Sequence, residues 1–430
     1  MHRRIRNARE RQCAAAIAIT FAGLSMCMLA AQAQTAPASA ENVTLKQVFD
    51  AAWARQPEAS ALQARRDAAR AQQQVARAWT PEPAALELSN KTDRLNRNQG
   101  GRELEVGIAV PIWLPGERAR SAALADAQER AVESHATAAQ LRVSATVRDA
   151  WWQWQRARAE ADAARDQLAN AQRIAADVSR RLRAGDLARA DQHQADGAVA
   201  TAEATLAHAQ AAVSASQQEL RAGAGIALAA LDAARGSDLP EHEPEPSGPD
   251  TEVDTHAALL DLRDRAAVAE RSAALTMTRS RANPELTLAM TRERDAFGER
   301  NQQSITLGVR IPFGAGARHD ARNASARADA TEARTLLALA RERLIAERES
   351  ARARVDAARI QRSAADRHLL LARESRGFFD KSFRLGETDL PTRLRIELEA
   401  TDAERQAARS GIELAAAISA WRQALGLMPQ

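Results

Sequence analysis

Two periods of hydrophobic spacing alternate along this chain. From Thr44 through Leu45, Val48 and Phe49 the sequence reads as a helix capped by Thr44, running to about Trp79, with Pro81 and Pro83 ending it. The period then falls to two. Leu104, Val106, Ile108 and Val110 alternate with Glu103, Glu105, Gly107 and Ala109, which predicts a strand with one apolar face. A weaker strand over 84–91 precedes it across the polar loop Thr92–Gly101, so a hairpin is predicted over about 84–112. The order then repeats: a helix from about Asp254 to Arg281, a stop at Pro284, a strand carrying Leu286, Leu288 and Met290, a polar loop around 295–301, and a return strand. In that return strand Ile305, Leu307, Val309, Ile311 and Phe313 alternate with Thr306, Gly308, Arg310 and Pro312, giving a second hairpin over about 284–313. Such alternation fits a transmembrane barrel strand with Ile305, Leu307 and Val309 toward lipid, and also a soluble sheet with one buried face. The barrel is the expectation, because four strands cannot close alone and the chain has no other large apolar layer to cover them.

Each return strand ends in a Pro/Gly corner, 111–116 and 312–316, and a helical stretch of about 70 residues follows, roughly 100 Å at 1.5 Å per residue. No compact domain needs helices that long. Each is interrupted by a short polar tip: Arg180–Gln192 (RRLRAGDLARADQ) and Ser382–Leu394 (SFRLGETDLPTRL), turning at Gly185 and Gly386. From these tips, helices return over about 187–222 and 390–425, and alanine-rich seams suit such pairs to close coiled-coil packing. The chain therefore reads as one architecture written twice. Residues 34–237 form the first repeat with its tip at 181–191, and residues 255–430 the second with its tip at 383–394. Between them, 238–254 is an acidic, proline-rich linker expected to drape, solvated, over the outside of the helices.

Composition sharpens this picture. Aromatics are 3 % of the chain and tyrosine is absent, which suits thin helical layers packed through small side chains. Residues 1–33 read as a secretory signal peptide: Arg3, Arg4, Arg6, Arg9 and Arg11 precede an apolar run that ends in the small-x-small site Ala31–Ala33. An uncleaved anchor, or a lipoprotein signal at Cys27, are the rivals. Without residues 1–33 the chain holds 55 basic and 55 acidic residues, so the high pI belongs to the signal and no basic, aromatic-laced patch suggests nucleic acid. Cys13 and Cys27 both lie in the signal, which leaves no thiol for disulfides, metal or nucleophilic catalysis.

No catalytic constellation, phosphate loop or HExxH signature is present, so neither an enzyme nor a bound cofactor is expected, and no metal site is assigned. His242 among Glu241, Glu243 and Glu245 is weighed as a weak cation site and set aside for a solvated linker. His193, His208, His319 and His368 read as surface residues. Trp151, Trp152 and Trp154 read as a packing belt ahead of a ligand platform.

The Pro111-Ile112 and Pro312-Phe313 corners followed by Gly116 and Gly316, and the tips Arg181-x-x-x-Gly185 and Leu385-Gly386-Glu387, give the chain its resemblance. It resembles the TolC-type outer-membrane efflux proteins over nearly the whole mature length, and AGDLARADQHQADGAVATAEATL is most similar to the heavy-metal, CzcC-like branch. The resemblance implies a homotrimer with a twelve-stranded transmembrane β-barrel, set in the Gram-negative outer-membrane lipid, on a periplasmic α-helical tube. It also implies a periplasmic membrane-fusion adaptor meeting the tips at Leu182, Arg183, Gly185, Asp186, Leu385, Gly386 and Glu387, and an inner-membrane pump of the resistance-nodulation-division class. An acidic entrance is implied at Asp191; Thr392 stands at the matching place in the second tip, with Asp389 as a substitute. The implied role is a passive exit duct for divalent heavy-metal cations. The same duct serving drugs or type I secretion, and a barrel-less periplasmic coiled-coil adaptor, are the alternatives.

Overall fold

The computed structural model describes residues 43–95, 98–226, 243–246, 252–314 and 316–430. Residues 1–33 with Cys13 and Cys27, and Glu241 and His242 of the linker, lie outside the described residues. The elements are α1 (Leu45–Ala54), α2 (Pro57–Arg77), β1 (Ala85–Thr92), β2 (Arg102–Pro111), α3 (Glu117–Ala184), α4 (Arg189–Ala224), α5 (Ala257–Thr278), β3 (Glu285–Arg294), β4 (Gln302–Arg310), α6 (Gly316–Arg384) and α7 (Leu390–Ala424).

Local chemistry sets the ends. Thr44 and Gln47 form a reciprocal capping box, each side chain bonding the other's amide at 3.2 and 3.0 Å. The single helix expected from Thr44 to Trp79 is two. Pro57 has no amide hydrogen and holds Gln56 extended, so the chain breaks after Ala54 and restarts with proline at the first helical position. In the second repeat the helix begins at Ala257, later than expected. A 3-10 turn covers Val253–Thr255, and His256 caps the helix by accepting the Ala258 amide on Nδ1 at 3.3 Å.

The four strands make one antiparallel sheet in the order β1-β2-β3-β4, so β2 and β3 join the two repeats edge to edge. Its register lines up Leu86, Ile108, Leu288 and Leu307 in one row and Leu88, Val106, Met290 and Ile305 in the next, all on one exposed face. The opposite face carries Glu87, Gly107, Ala289 and Thr306, then Ser89, Glu105, Thr291 and Ser304. Among the described residues nothing pairs with the outer edges of β1 and β4.

The helix α3, 68 residues long, is the spine: it packs on α2 and α5 beside the sheet and on α4 and α7 farther along. Among the described residues the 69-residue α6 packs on α5 and α7, with the 3-10 turn Val253–Thr255 and Glu245 of the linker also against it. Its other side exposes Leu336, Leu339, Ile360, Leu370, Leu371 and Phe378, while the large apolar residues of α3 are buried or half-buried. The main core lies where α1, α3, α4 and α7 meet: Val48 and Phe49 pack on Trp151, Trp152 and Trp154, with Leu220 and Ile412 closing it. Trp151 and Trp154 contact with ring centres 5.1 Å apart and planes tilted by 59°. The tryptophans pack between helices.

At the corner between sheet and spine, Glu117 is fully buried and joins the repeats. It accepts from Arg279 Nε at 2.6 Å, Asn283 Nδ2 at 2.6 Å and the Leu114 amide at 3.0 Å. The Ile112 amide also donates to the Pro284 carbonyl at 2.7 Å. Strands and helices are thus locked together at the level where their direction changes.

Candidate functional site

Both tips close with the same turn. After α3, the Asp186 amide bonds the Arg181 carbonyl and the Gly185 amide that of Leu182, each at 3.0 Å; after α6, Glu387 bonds Ser382 and Gly386 bonds Phe383, each at 3.1 Å. These paired bonds need a left-handed residue, and Gly185 and Gly386 supply it at φ of 89° and 80°. Arg183, Gly185, Asp186, Leu385, Gly386 and Glu387 are exposed, whereas Leu182 is half-buried and so less available than a residue displayed by the turn.

The two acidic positions differ in role. Asp191 stands at the third position of α4 and accepts the Ala188 amide at 2.9 Å. Asp389 is itself the N-cap of α7 and accepts the Thr392 amide at 3.2 Å. One capping pair has been divided between the tips, with the carboxylate on the far partner in one and on the cap in the other. Hydrogen bonds from Thr392, side chain first and amide second, hold the Asp389 carboxyl below the usual carboxylate range, so it stays ionised.

The tips are brought together by an aromatic clasp. Phe383 is buried against Ile174, Val178 and Leu390, and the guanidinium groups of Arg181 and Arg393 each lie 4.6 Å from its ring centre. Arg181 also donates to the Phe383 carbonyl at 3.1 Å, and Arg393 pairs with Asp380 at 2.9 Å. A buried phenylalanine is conspicuous in so aromatic-poor a chain, and that was the available signal for this residue.

The linker departs from expectation. Glu243 is buried, its side chain 2 % exposed, between Arg148 (3 %) and Arg422 (4 %). Its carboxylate accepts Arg148 Nε at 3.0 Å and Nη2 at 2.7 Å and a bond from the Ser419 hydroxyl, with Arg422 Nε 3.3 Å away. Arg422 reaches the Pro244 carbonyl at 2.9 Å, Arg148 reaches the Leu427 carbonyl at 3.0 Å, and Glu245 pairs with Arg359. This part of the linker is therefore pinned between α3 and α7, because two buried guanidinium groups require a carboxylate. Among the described residues no cluster of three histidine, cysteine or acidic side chains is placed to hold a metal ion. His193, His208 and His368 are exposed and His319 is half-buried. Among the described residues no helix is long and apolar enough to cross a membrane.

Residues 48–225 match the family model described as outer membrane efflux protein. No curated protein sequence is significantly similar to the chain. Among solved structures, the outer membrane protein VceC of Vibrio cholerae is 17 % identical, with 90 % of this chain and 97 % of that chain covered and a TM-score of 0.69. CusC is 16 % identical, with 89 % and 92 % covered and a TM-score of 0.73. The MtrE outer membrane channel of Neisseria gonorrhoeae, in its open state, is 14 % identical, with 92 % and 93 % covered and a TM-score of 0.66. At these identities the likeness is one of fold, and it extends over most of the chain.

Proposed function

We propose that this chain is one subunit of a homotrimeric outer-membrane exit duct, the passive last stage of a tripartite efflux system. The family match over 48–225 and the shared fold support an outer membrane efflux channel. The observation that carries the reading is the sheet. Four strands with one exposed apolar face and two open edges are mounted on helices of 68 and 69 residues, which suits a barrel wall completed by other copies. The unequal burial of α3 and α6 supports the same closure, because α6 leaves bare the side on which α3 carries α5 and α7.

In this reading Ile305, Leu307 and Val309 face lipid, and the polar face lines the lumen. The tips, through Leu182, Arg183, Gly185, Asp186, Leu385, Gly386 and Glu387, dock a periplasmic membrane-fusion adaptor, with Asp191 and Asp389 at the entrance. An inner-membrane pump of the resistance-nodulation-division class supplies the energy. The cargo is divalent heavy-metal cations. Besides the resemblance to the CzcC-like branch, the polar face of the sheet supports a cation: it carries Glu87, Glu103, Glu105, Glu285 and Glu293 against Lys91 and Arg310. The test is a deletion strain, with parallel ducts removed, challenged with zinc, cobalt and cadmium beside drugs. The reading expects metal sensitivity that a plasmid copy reverses; unchanged metal tolerance with a loss of drug tolerance would move the cargo to drugs.

A further inference from the structure

The alternation of the strands does not stop where the apolar residues stop. Continuing the same register toward the loops 93–101 and 295–301, the exposed face reads Asn90, Leu104, Arg292 and Gln303, and then Thr92, Arg102 and Arg294. Three arginines thus stand directly beyond the apolar rows, at the end of the sheet farthest from the helices. Arg102 and Arg294 are direct cross-strand partners, and Arg292 is one pleat away.

The acids at the same level turn the other way: Glu103 and Glu293 are partners on the polar face, where Lys91 meets Glu103 at 3.3 Å. Among the described residues Arg102 and Arg292 have no ion pair. Arg294 is held in place, with Nε and Nη2 donating to the Gly100 carbonyl at 3.3 and 3.2 Å and its guanidinium 5.7 Å from the Phe297 ring centre. Like charges directly opposite each other in a sheet are destabilising, so this arrangement calls for an anion from outside the chain.

A neighbouring copy is poorly placed to supply it. The arginines lie on β2 and β3, the two central strands, with β1 and β4 between them and either open edge. The surface they do face, an apolar band ending in a row of cations, matches a molecule with acyl chains below and a phosphate above.

The geometry points to a lipid site: Arg102, Arg292 and Arg294 bind the phosphomonoester of a glycolipid in the outer leaflet, its acyl chains lying on Leu104, Val106 and Met290. This rests on the outer-membrane reading above. Arginine suits the role because its planar fork pairs two oxygens of one phosphate.

The experiment starts from the purified trimer in detergent, so failure of the barrel reading appears earlier, as no trimer in the membrane extract. Binding is then measured for bisphosphorylated lipid A, its enzymatically dephosphorylated form, and phosphatidylglycerol. The parent should prefer the bisphosphorylated lipid. Arg292→Gln alone should weaken that binding about fivefold, and the variant R102Q/R292Q/R294Q by roughly a hundredfold, from about fivefold for each arginine. Lys91→Gln, at the same level on the polar face, should change nothing. If the triple variant does not assemble, the single variant decides. Equal binding of phosphorylated and dephosphorylated lipid, equal binding of phosphatidylglycerol, or parent-like binding by Arg292→Gln would each overturn the site.

Discussion

Two glutamates in the linker, two residues apart, should behave differently on removal, and the structure says by how much. Glu243 is the carboxylate shared by Arg148 and Arg422, all three nearly inaccessible, and it accepts from Arg148 in a two-point contact at 3.0 and 2.7 Å. Glu243→Ala leaves two buried guanidinium groups with no carboxylate, the situation in which breaking a buried pair costs about 3–5 kcal/mol. Glu243→Gln keeps acceptor capacity and loses the charge, so it should fall between parent and alanine. Glu245 pairs with Arg359 with both side chains nearly half exposed, so Glu245→Ala should leave stability unchanged. The assay is denaturant unfolding of the refolded protein in detergent, followed by tryptophan fluorescence, since Trp151 and Trp152 lie one turn from Arg148 in the same core. A destabilisation by Glu243→Ala no larger than that of Glu245→Ala would refute the reasoning. The linker would then be a tether without structural weight.

Other outcomes follow from the sheet, the caps and the tips. Leu307→Arg should cost about 2–4 kcal/mol of folding stability in lipid if Leu307 lies at mid-bilayer, while Thr306→Arg on the polar face is tolerated; folding yields into bilayers at graded urea measure both. His256 is held below the ordinary imidazole pKa of 6.5, first by burial and then by the Arg348 charge. Its neutral form caps α5, so its contribution is present above pH 6.5 and is lost as pH falls from there toward the lowered value; His256→Gln should flatten that part of the stability profile. Gly185 and Gly386 have open space where a Cβ would stand, so valine there meets only backbone strain of about 1–3 kcal/mol. The double valine variant should still assemble but lose cross-linking to the adaptor and support of efflux; parent-like cross-linking would show that the tips are not the docking site.

What could be read from the sequence was whatever has a period or a punctuation mark. Alternation from Leu286 to Met290 and from Ile305 to Val309 reads directly as strands, and glycines at 185 and 386 mark where α3 and α6 end. The break at Gln56 was also legible, in Pro57, yet the helical pattern on either side hides it. Contacts between residues far apart in the chain leave no such trace. Nothing in an acidic, proline-rich segment tells Glu243 from Glu245, because what separates them is Arg148 and Arg422 arriving from α3 and α7. Likewise the roles of Asp191 and Asp389 depend on which residue caps each return helix, a matter of a single position. The arginines at 102, 292 and 294 are visible as charges, but their gathering on one face needs the register of β2 with β3.

The most direct test of the duct itself is the number of chains in the membrane-extracted particle. Native mass spectrometry of the full-length protein, taken from a sucrose-gradient outer-membrane fraction, should give three chains, because the open edges of β1 and β4 and the bare side of α6 all require further copies. Recovery of a single chain in the soluble periplasmic fraction would contradict the account.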